Sequence, residues 1–567
     1  MFGTKKNILY LLYGGNSIKL PHGIKWVGQT VIGLMYKRII LYKEGYSMTV
    51  KTLCTYTDEW KRLPWKNFQK NLFRLQHRIY KAAKQKDYDS VKRLQSLLLG
   101  SKSSKYLAVR QVTQLNAGKK TAGVDGIKSL NPKERIHLVN ELDSIKNWKH
   151  RKLKRVYIPK ANGKLRPLGI PTIKDRAMQC FVKFALEPVY EAHASDGSYG
   201  FRPGHSRWDV QNRLFQNLKS NSNGYKKTIL ELDIEGCFDN INHQKLMELV
   251  TLPNTAKRFL KTALEAGVLK ERDKTLVGTP QGGVISPLLC NIALHGIEDL
   301  NNARIKGQNY QRGLRYADDM VFIIFPDESG PALLNKVIEF LNTRGLKANM
   351  AKTRFVSPLD GFDFLGWHFK VKRGNNKFVC YPSSKNRKQI IKRIKTLMKD
   401  SRYKIEDRLK MLKTVYRGWW NYHQYSDMGQ INLWSIRIWV YRYLRKSTKM
   451  SSKEIIKHLD PIFNGHKYRV NRHSAVRGDR SIYDGDLVYW SKKNSNRYSG
   501  PLATALKRQT YRCNSCNLLF SGNDWIELHH KNGVNNDFRL SNVEALHRSC
   551  HQHQMVHRSI LLQRKSR

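Results

Sequence analysis

Alternating hydrophobic and polar positions in two short segments predict the centre of one sheet. Residues 228–239, TILELDIEGCFD, read as a strand that ends at Asp233. Residues 314–325, LRYADDMVFIIF, read as two apolar strands joined by a turn that carries Asp318 and Asp319. Because the first strand can lie beside this hairpin, we expect all three carboxylates to meet at one end of the sheet.

Helical and extended patterns alternate on either side of this sheet. Residues 65–99 place apolar side chains at helical spacing, with lysine and arginine on the other face. Residues 153–171 predict two strands joined by an Asn-Gly turn. Residues 278–294 read as a loop followed by a helix, and a further helix is predicted at about 331–345. Helices mixed with antiparallel strands indicate an α+β fold.

The last third of the chain changes character twice. A helical pattern rich in aromatic and basic residues runs from about 385 to 450, and we expect most of Trp419, Trp420 and Trp439 to be buried there. Residues 451–505 are basic and rich in loop-forming residues, and a cluster of cysteine and histidine follows.

The net charge of the chain indicates which class of molecule it binds. The 567 residues predict roughly three or four domains, and they carry 103 lysines and arginines against 44 acidic residues, a formal net charge of +59. This excess is too large for a solvated surface alone and indicates RNA or DNA as the partner. A membrane surface is the rival interpretation, but no stretch approaches the ~20 apolar residues of a spanning helix.

The first 47 residues allow three interpretations. They are basic, lack a clear periodic pattern and contain no acidic residue before Glu44. They could be an organellar targeting segment, sequence upstream of a true start at Met48, or a genuine N-terminal arm. We favour the upstream extension.

The paired carboxylates call for a chemical explanation. Adjacent like charges repel each other, and aspartate at a turn is usually a solvated turn residue. Here the turn is flanked by Tyr316 and by the apolar segment MVFIIF, which argues against simple solvation. Carboxylates at neighbouring strand ends suit hard divalent cations. Two Mg²⁺ ions ~3.5–4 Å apart can activate an attacking hydroxyl and stabilise a leaving pyrophosphate.

Cysteine spacing predicts a second metal site near the C-terminus. Of eight cysteines, three cluster there, as Cys513-x2-Cys516 and as Cys550 in the pair His547-x2-Cys550. Two such pairs separated by about thirty residues fit one tetrahedral structural zinc. The alternative is a set of free thiols in a core. The scattered remainder fits a reducing compartment rather than a disulfide framework.

Several segments, in order, resemble a reverse transcriptase encoded by a group II intron. The matching segments are TAGVDGI, VYIPKANGKLRPLGIPTIKDRAMQ, SYGFRPGHS, ELDIEGCFDNI, GTPQGGVISPLLCNIAL, LRYADDMVF, GLKANMAKTRF and GFDFLGW. VYRGWWNYH, at 415–423, resembles the start of the intron-type thumb, the maturase X domain. The resemblance runs from about residue 50 to the C-terminus. It implies a right-hand polymerase with fingers and palm, followed by an α-helical thumb.

The resemblance implies roles for the palm carboxylates. Asp233, Asp318 and Asp319 match the catalytic triad that holds two Mg²⁺ ions, and the backbone carbonyl of Ile234 is an expected additional ligand. Arg202 and Lys174 are expected to touch nucleic acid.

The resemblance also implies five contacts to the incoming nucleotide. Lys160 and Arg166 are expected to hold the triphosphate. Phe238 matches the aromatic residue that packs under the sugar and excludes a 2′-hydroxyl, and Gln281 matches a residue that contacts the nucleotide. Lys352 could help to protonate the leaving pyrophosphate. Without the resemblance, Lys160 and Arg166 would be interpreted as the surface of a hairpin. Phe238 would be interpreted as a core residue and Lys352 as an ordinary surface lysine.

The sequence between the two metal-binding pairs, IELHHKNGVNNDFRLSNVEALH, resembles an HNH, or ββα-metal, nuclease. The resemblance implies that His530 is the general base on water and that His529 binds a catalytic divalent ion. Asn542 would orient the base, and His551 would be a second ligand. Glu527 could polarise a histidine.

One position departs from the nuclease pattern. The family often has a further histidine four residues after the second ligand, where this chain has Met555. Either His557 replaces the missing ligand, or the pair shifts to His553 and His557, which are four residues apart on one helix face.

The predicted organisation has five parts. They are an N-terminal extension of uncertain role at 1–47, fingers and palm at 48–380, the thumb or maturase X domain at 381–450, a basic DNA-binding region at 451–505 and an HNH domain with structural zinc at 506–567. This arrangement predicts an intracellular protein of a bacterium or an organelle, with intron RNA, target DNA and dNTPs as partners and no membrane.

The resemblance implies three activities in one chain. They are RNA-directed DNA synthesis, assistance of intron splicing, and nicking of the target DNA strand that primes reverse transcription. The alternatives are a maturase that only binds RNA, a domesticated reverse transcriptase and an RNA-dependent RNA polymerase. The complete aspartate set argues against a maturase that only binds RNA. The HNH and X-like motifs argue against a domesticated reverse transcriptase, and Phe238 argues against an RNA-dependent RNA polymerase.

Overall fold

The structure is a computed structural model. It describes residues 10–13, 16–19, 25–26, 40–43, 46–49, 59–60, 62–159, 165–268, 277–279, 282–301, 303–305, 308–431, 433–463, 472–495, 498, 500–520, 524–548, 550–552 and 554–555. Five short antiparallel strands come first: β1 (Tyr10–Tyr13), β2 (Asn16–Lys19), β3 (Lys25–Trp26), β4 (Ile40–Lys43) and β5 (Tyr46–Thr49). No helix in the part of the chain described is long and apolar enough to cross a membrane.

A group of helices and one hairpin precede the central sheet. They are α1 (Trp65–Lys84), α2 (Tyr88–Gly100), α3 (Lys102–Arg110), α4 (Pro132–Glu141), β6 (Lys154–Pro159), β7 (Leu165–Ile170) and α5 (Ile173–His193). The helical pattern at 65–99 is divided in two, because Lys86 takes a left-handed conformation and Asp87 then caps α2 by accepting a hydrogen bond from the Ser90 N–H. Helix α5 is buried on nearly all sides and packs against α1, α2 and α3.

The central sheet has the strand order predicted to bring the carboxylates together. Further elements are α6 (Arg207–Leu218), β8 (Thr228–Leu232), α7 (Cys237–Asn240), α8 (His243–Leu249), α9 (Asn254–Leu264), α10 (Ser286–Ala293), β9 (Ala303–Ile305), β10 (Gln308–Tyr310), β11 (Gly313–Tyr316), β12 (Asp319–Ile324), α11 (Gly330–Asn342) and β13 (Arg354–Val356). The four-stranded sheet runs β11-β12-β8-β13, with every pair antiparallel. Its strands are apolar on both faces, because helices cover one face and a second sheet covers the other.

The second sheet consists of β14 (Phe362–Phe364), β15 (Trp367–Val371) and β16 (Phe378–Pro382). The predicted strand pair at GFDFLGW is therefore joined by a third strand. Trp367 and Phe369 are fully buried and share a core with Leu214 of α6 and Val321 of β12.

A separate helical core follows the two sheets. It is built from α12 (Ser384–Lys399), α13 (Ile405–Tyr422), α14 (Trp434–Ser447) and α15 (Ser452–Phe463). The core extends beyond the predicted boundary at residue 450, since Ile455 and Leu459 of α15 are buried in it. Trp419, Trp420 and Trp439 are only partly buried at its margin, because they lie where the helices meet solvent.

The segment predicted to be a basic, loop-rich region contains a buried helix. Helix α16 (Leu487–Ser495) places the Trp490 ring against Gly204, and the Tyr483 hydroxyl just before it donates to Glu187 Oε2 at 2.9 Å. On its other side, the Ser491 hydroxyl donates to the carbonyl of Tyr511 at 2.8 Å. Helix α16 therefore joins the C-terminal region to the body of the molecule.

The C-terminal region contains a helix and a two-stranded hairpin, and the described residues that follow the hairpin, 550–552 and 554–555, are also helical. It contains α17 (Pro501–Arg508), β17 (Ile526–His530) and β18 (Val543–His547). The two strands pair antiparallel and pack against α17. Phe520 is fully buried and its ring lies 4.6 Å from that of His547.

Candidate active site and metal centre

The sheet register brings the three predicted carboxylates to one point. Met320 pairs with Leu232, so the next residues outward, Asp319 and Asp233, face each other across neighbouring strands. Asp318 lies in the turn before β12, where Ala317 adopts a φ of 63°. Strand pairing fixes the strand ends, and the tight turn places the third carboxylate beside the first two.

The backbone around Asp233 leaves room for a further oxygen ligand. The Asn349 N–H donates to the carbonyl of Asp233 at 2.8 Å, and the Glu235 N–H donates to the carbonyl of Lys347 at 2.9 Å. Because successive carbonyls of an extended chain point to opposite sides, that of Ile234 points away from these bonds. The role of the Ile234 carbonyl as a metal ligand stays a prediction.

Lys352 lies directly beside the carboxylates. Its Nζ donates to Asp233 Oδ2 at 2.8 Å, although the side chain is 64 % exposed. The ammonium therefore has the position from which it could reach a group bound at the three aspartates. A surface lysine without a role at this site would have no reason to contact Asp233.

The carboxylates create a strong local negative potential. Asp319 remains accessible, but loss of water on its protein side and the charges of Asp318 and Asp233 raise its pKa to about 6, while Lys352 opposes the shift. A divalent cation would relieve this repulsion. The three donors therefore fit Mg²⁺ by their chemistry.

In the metal-free protein, we expect Asp319→Asn to increase stability more at neutral pH than in mild acid. The carboxyl group has a pKa of about 6 when folded against an ordinary value of 3.8, so the folded state binds more protons between these values. Stability therefore falls as pH rises through this window, and the amide removes the cost. Thermal unfolding midpoints in chelator at about pH 5 and about pH 8 test this. An equal difference at both values would contradict it.

Two buried ion pairs lie near the turn that carries Asp318. The Arg315 guanidinium, fully buried in β11, donates to both carboxylate oxygens of Glu298 and to Asn291 Oδ1 at 2.9 Å. Arg202 makes an equivalent two-point contact with Glu191, both bonds being 3.0 Å. The expectation that Arg202 touches nucleic acid is therefore wrong, because its side chain is 1 % exposed and already paired.

We expect Glu298→Gln to lower the free energy of unfolding by about 3 kcal/mol. The substitution keeps the shape of the side chain but leaves the Arg315 charge buried without its partner. Urea unfolding followed by tryptophan fluorescence measures the change. Glu248→Gln, which breaks only an exposed pair with Lys245, is the control and should change stability little. Equal effects in both variants would show that the buried pair has no special weight.

The predicted nucleotide contacts are only partly within the described residues. Phe238 is 7 % exposed in α7, and its carbonyl accepts a hydrogen bond from the Thr279 N–H at 2.6 Å. Arg166 is exposed on β7, opposite Ile158. Lys160 and Gln281 lie outside the described residues.

Lys174 and Gly282, which lie in the same region, both contact other parts of the protein. Lys174 donates to Glu141 Oε1 at 2.6 Å while remaining partly exposed. Gly282, in the segment GTPQGG, lies against the chain itself, since a Cβ there would be 2.7 Å from the carbonyl oxygen of Gly169.

The C-terminal cysteines and histidine converge as the spacing predicted. The donor atoms of Cys513, Cys516, His547 and Cys550 all lie within 4.8 Å of one another. His547 Nδ1 is 3.3 Å from the Cys516 sulfur, and its Nε2 is 3.2 Å from a carboxylate oxygen of Asp524. This set of three sulfurs and one nitrogen fits tetrahedral zinc, with Asp524 orienting the imidazole.

A second group of histidines surrounds the β17–β18 hairpin. The rings of His529 and His551 are 5.1 Å apart, and His551 Nδ1 lies 2.8 Å from Glu527 Oε2. The carboxylate thus orients His551, in agreement with the expectation for Glu527. Nε2 of His530 is buried without a hydrogen-bond partner, which is unusual for a polar atom unless a ligand or water completes it.

Asn542 has a different role from the one predicted. Its Oδ1 accepts a hydrogen bond from the Asn532 N–H at 3.0 Å, and its Nδ2 donates to the carbonyl of Asp537 at 2.8 Å. The amide therefore holds the loop that follows His530 rather than the imidazole itself. His557 and the alternative ligand His553 lie outside the described residues.

Sequence reasoning missed Asp524, Glu298 and Arg315. Arg315 lies between Leu314 and Tyr316 in a strand that was predicted to be apolar. An arginine at such a position indicates a buried ion pair, since arginine is almost never fully buried unless it is paired. No local sign identified Asp524, which lies between the two metal-binding pairs in sequence.

Comparisons with known proteins agree with this arrangement. The family described as "Reverse transcriptase (RNA-dependent DNA polymerase)" matches residues 158–369, the "N-terminal domain of reverse transcriptase" matches residues 60–142, and the "Group II intron, maturase-specific domain" matches residues 387–460. These ranges correspond to the region containing both sheets, the preceding helices and the helical core.

Three relatives show how far the similarity extends. "Maturase-like protein 1" of Euglena gracilis is 34% identical over 370 residues, which cover 65% of this chain and 78% of that protein. "Protein YkfC" of Escherichia coli strain K12 is 31% identical over 326 residues, covering 50% and 84%. "Group II intron-encoded protein LtrA" of Lactococcus lactis subsp. cremoris is 40% identical over 152 residues, covering 26% and 24%. The chain therefore belongs to the family of group II intron-encoded reverse transcriptases with a maturase domain.

Proposed function

We propose that this protein copies RNA into DNA, assists the splicing of a group II intron, and nicks DNA to provide the primer for the copy. The observation that carries the proposal is the meeting of Asp233, Asp318 and Asp319 at adjacent strand ends within a reverse transcriptase domain. The other two activities are assigned to the helical core and to the C-terminal region.

In the polymerase step, the three carboxylates and the carbonyl of Ile234 would hold Mg²⁺. Bound there, Mg²⁺ supplies Lewis-acid activation of a primer 3′-hydroxyl and stabilises the charge of the departing pyrophosphate. Lys352, released from Asp233 when the carboxylate turns to the ion, would donate a proton to pyrophosphate. Lys160, Arg166 and Gln281 would hold the nucleotide, and Phe238 would pack under its sugar.

The helical core offers a cationic surface for intron RNA. Helix α12 buries Ile390, Ile394 and Met398, which leaves its other faces to solvent. Those faces carry the exposed residues Lys385, Lys388, Lys392, Arg393, Lys395 and Lys399. A row of cations on one helix suits a phosphate backbone, and it predicts binding that weakens as salt concentration rises.

The C-terminal region would act as an HNH endonuclease. Zinc held by Cys513, Cys516, His547 and Cys550 would fix the fold, since this small unit has a limited core. His529 and His551 would hold the catalytic divalent ion, with His557 as a further ligand. His530 would remove a proton from the attacking water as the general base.

We expect His530→Ala to lose nicking while keeping DNA synthesis. Without the general base, nicking of a supercoiled plasmid with Mg²⁺ should fall about 10²- to 10⁴-fold, because base catalysis typically contributes that much. Extension of a DNA primer annealed to an RNA template should be unchanged, since the 3′ end is then supplied. Gel assays of both reactions measure this.

The control variant is His458→Ala, which removes an exposed histidine from the helical core. It should keep both reactions. Nicking by His530→Ala at the wild-type rate would refute the nuclease assignment. Failure of wild type to extend the primer would instead favour a maturase that only binds RNA.

A further inference from the structure

Phe201 has a backbone conformation that an exposed phenylalanine rarely adopts. Its φ is 60°, in the left-handed region, and its side chain is 51 % exposed. Bulky residues pay a steric cost in this region that glycine avoids. Because half of the ring is exposed to solvent, burial of apolar surface gives little stabilisation to offset this steric cost.

The neighbouring residues impose this conformation. A Cβ on Gly200 would lie 2.2 Å from the backbone nitrogen of Ala317, so the chain is pressed against the turn that carries Asp318. The Asn291 side-chain amide donates to the carbonyl of Gly200 at 2.8 Å. On the other flank, Arg202 is buried in its contact with Glu191. The backbone of Phe201 is therefore fixed on both sides, as is typical of strain kept at a functional site.

The ring of Phe201 meets the residue expected to sense the sugar. The two ring centroids of Phe201 and Phe238 are 6.4 Å apart and their planes lie at 82°, an edge-to-face contact. Phe238 lies in a short helix right after Cys237, and Phe201 directly follows Gly200, which is pressed against Ala317. The exposed ring thus lies between the sugar-sensing residue and the catalytic turn.

We infer that Phe201 is a positioning residue that holds the Phe238 ring in place and so sets the preference for deoxyribonucleotides over ribonucleotides. The inference rests on the proposed polymerase function. A 2′-hydroxyl is rejected only if the ring beneath the sugar cannot move aside. The edge-to-face contact restricts that movement, and the fixed backbone of Phe201 keeps the contact from yielding.

The decisive variant is Phe201→Gly, because it separates a structural role from a functional one. Glycine is favoured at a φ of 60°, so the thermal unfolding midpoint should stay the same or rise. We expect the ratio of kcat/KM for a dNTP to that for the matching rNTP to fall about tenfold, the lower end of discrimination by pocket contacts. Phe201→Tyr keeps the ring and should restore the wild-type ratio.

Asn223→Gly is the matched control, since Asn223 also has a positive φ, 49°, and is exposed away from the site. It should leave the ratio unchanged. An unchanged ratio in Phe201→Gly would overturn the inference, whatever its unfolding midpoint. Absence of extension by wild type would overturn the polymerase function and this inference together, so the two failures are distinguishable.

Discussion

Replacing Asp318 and Asp319 together with alanine is expected to abolish primer extension on an RNA template. The two carboxylates supply most of the negative charge that would hold Mg²⁺ beside Asp233. Loss of a single preorganised electrostatic contact typically costs about 10²- to 10³-fold in rate, so loss of both should exceed about 10³-fold. Extension with dNTPs and Mg²⁺, followed on a denaturing gel, measures the rate.

The fold should survive this double substitution. Burial, followed by the charges of Asp318 and Asp233, raises the pKa of Asp319, so removal of two of the three carboxylates relieves both costs in the metal-free protein. RNA binding and the thermal unfolding midpoint should therefore stay near wild type.

Asp327→Ala is the matched control for the double substitution. Asp327 is exposed beyond the other end of the same hairpin strand, so it tests the loss of a carboxylate without touching the site. This variant should extend the primer normally. Normal extension by the double variant would refute the assignment of the site and leave the carboxylates without a catalytic role.

Cys513→Ser is expected to remove zinc and unfold the C-terminal region while the polymerase reaction continues. Structural zinc contributes about 10–16 kcal/mol of apparent binding free energy in small domains, more than such a core supplies by itself. Loss of one thiolate should therefore abolish plasmid nicking. Zinc content per chain, limited proteolysis and extension of an annealed primer distinguish the two regions.

Cys180→Ala is the control for this substitution. The Cys180 thiol is buried in α5, and burial raises its pKa to about 12, so it is a core thiol rather than a metal ligand. This variant should keep its zinc and its nicking activity. One zinc per chain and protease resistance in Cys513→Ser would show that the cluster is not a structural metal site.

Helix α16 contacts both the body of the molecule and the C-terminal region. Its Trp490 ring packs against Gly204 of the body, while Asn494 donates to the carbonyl of Asp524, beside the cluster of Cys513, Cys516, His547 and Cys550, at 3.2 Å. Trp490, Ser491 and Asn494 are each at most 1 % exposed. Because the same short helix is buried on both sides, the C-terminal region is attached to the body by packing as well as by the chain.

Local patterns in the sequence were sufficient for much of the site. Alternation of apolar and polar positions placed Asp233 and Asp319 at strand ends, because strand geometry depends on neighbouring residues. The spacing of Cys513, Cys516, His547 and Cys550 predicted that their donor atoms would converge, because a tetrahedral site demands short loops between paired ligands, and the structure brings these atoms within 4.8 Å of one another. The roles of these residues, like those of Lys160, Gln281 and His557, remain predictions.

Only the tertiary structure decided how charged and exposed residues are used. Arg202 was predicted to contact nucleic acid, yet its guanidinium is buried because it donates to both carboxylate oxygens of Glu191 on helix α5. Asp524 supports His547, and Phe201 meets Phe238, through contacts between segments that are distant in sequence. A short sequence window shows which residues can carry charge or bulk, but the partners that bury, orient or strain them come from elsewhere in the chain.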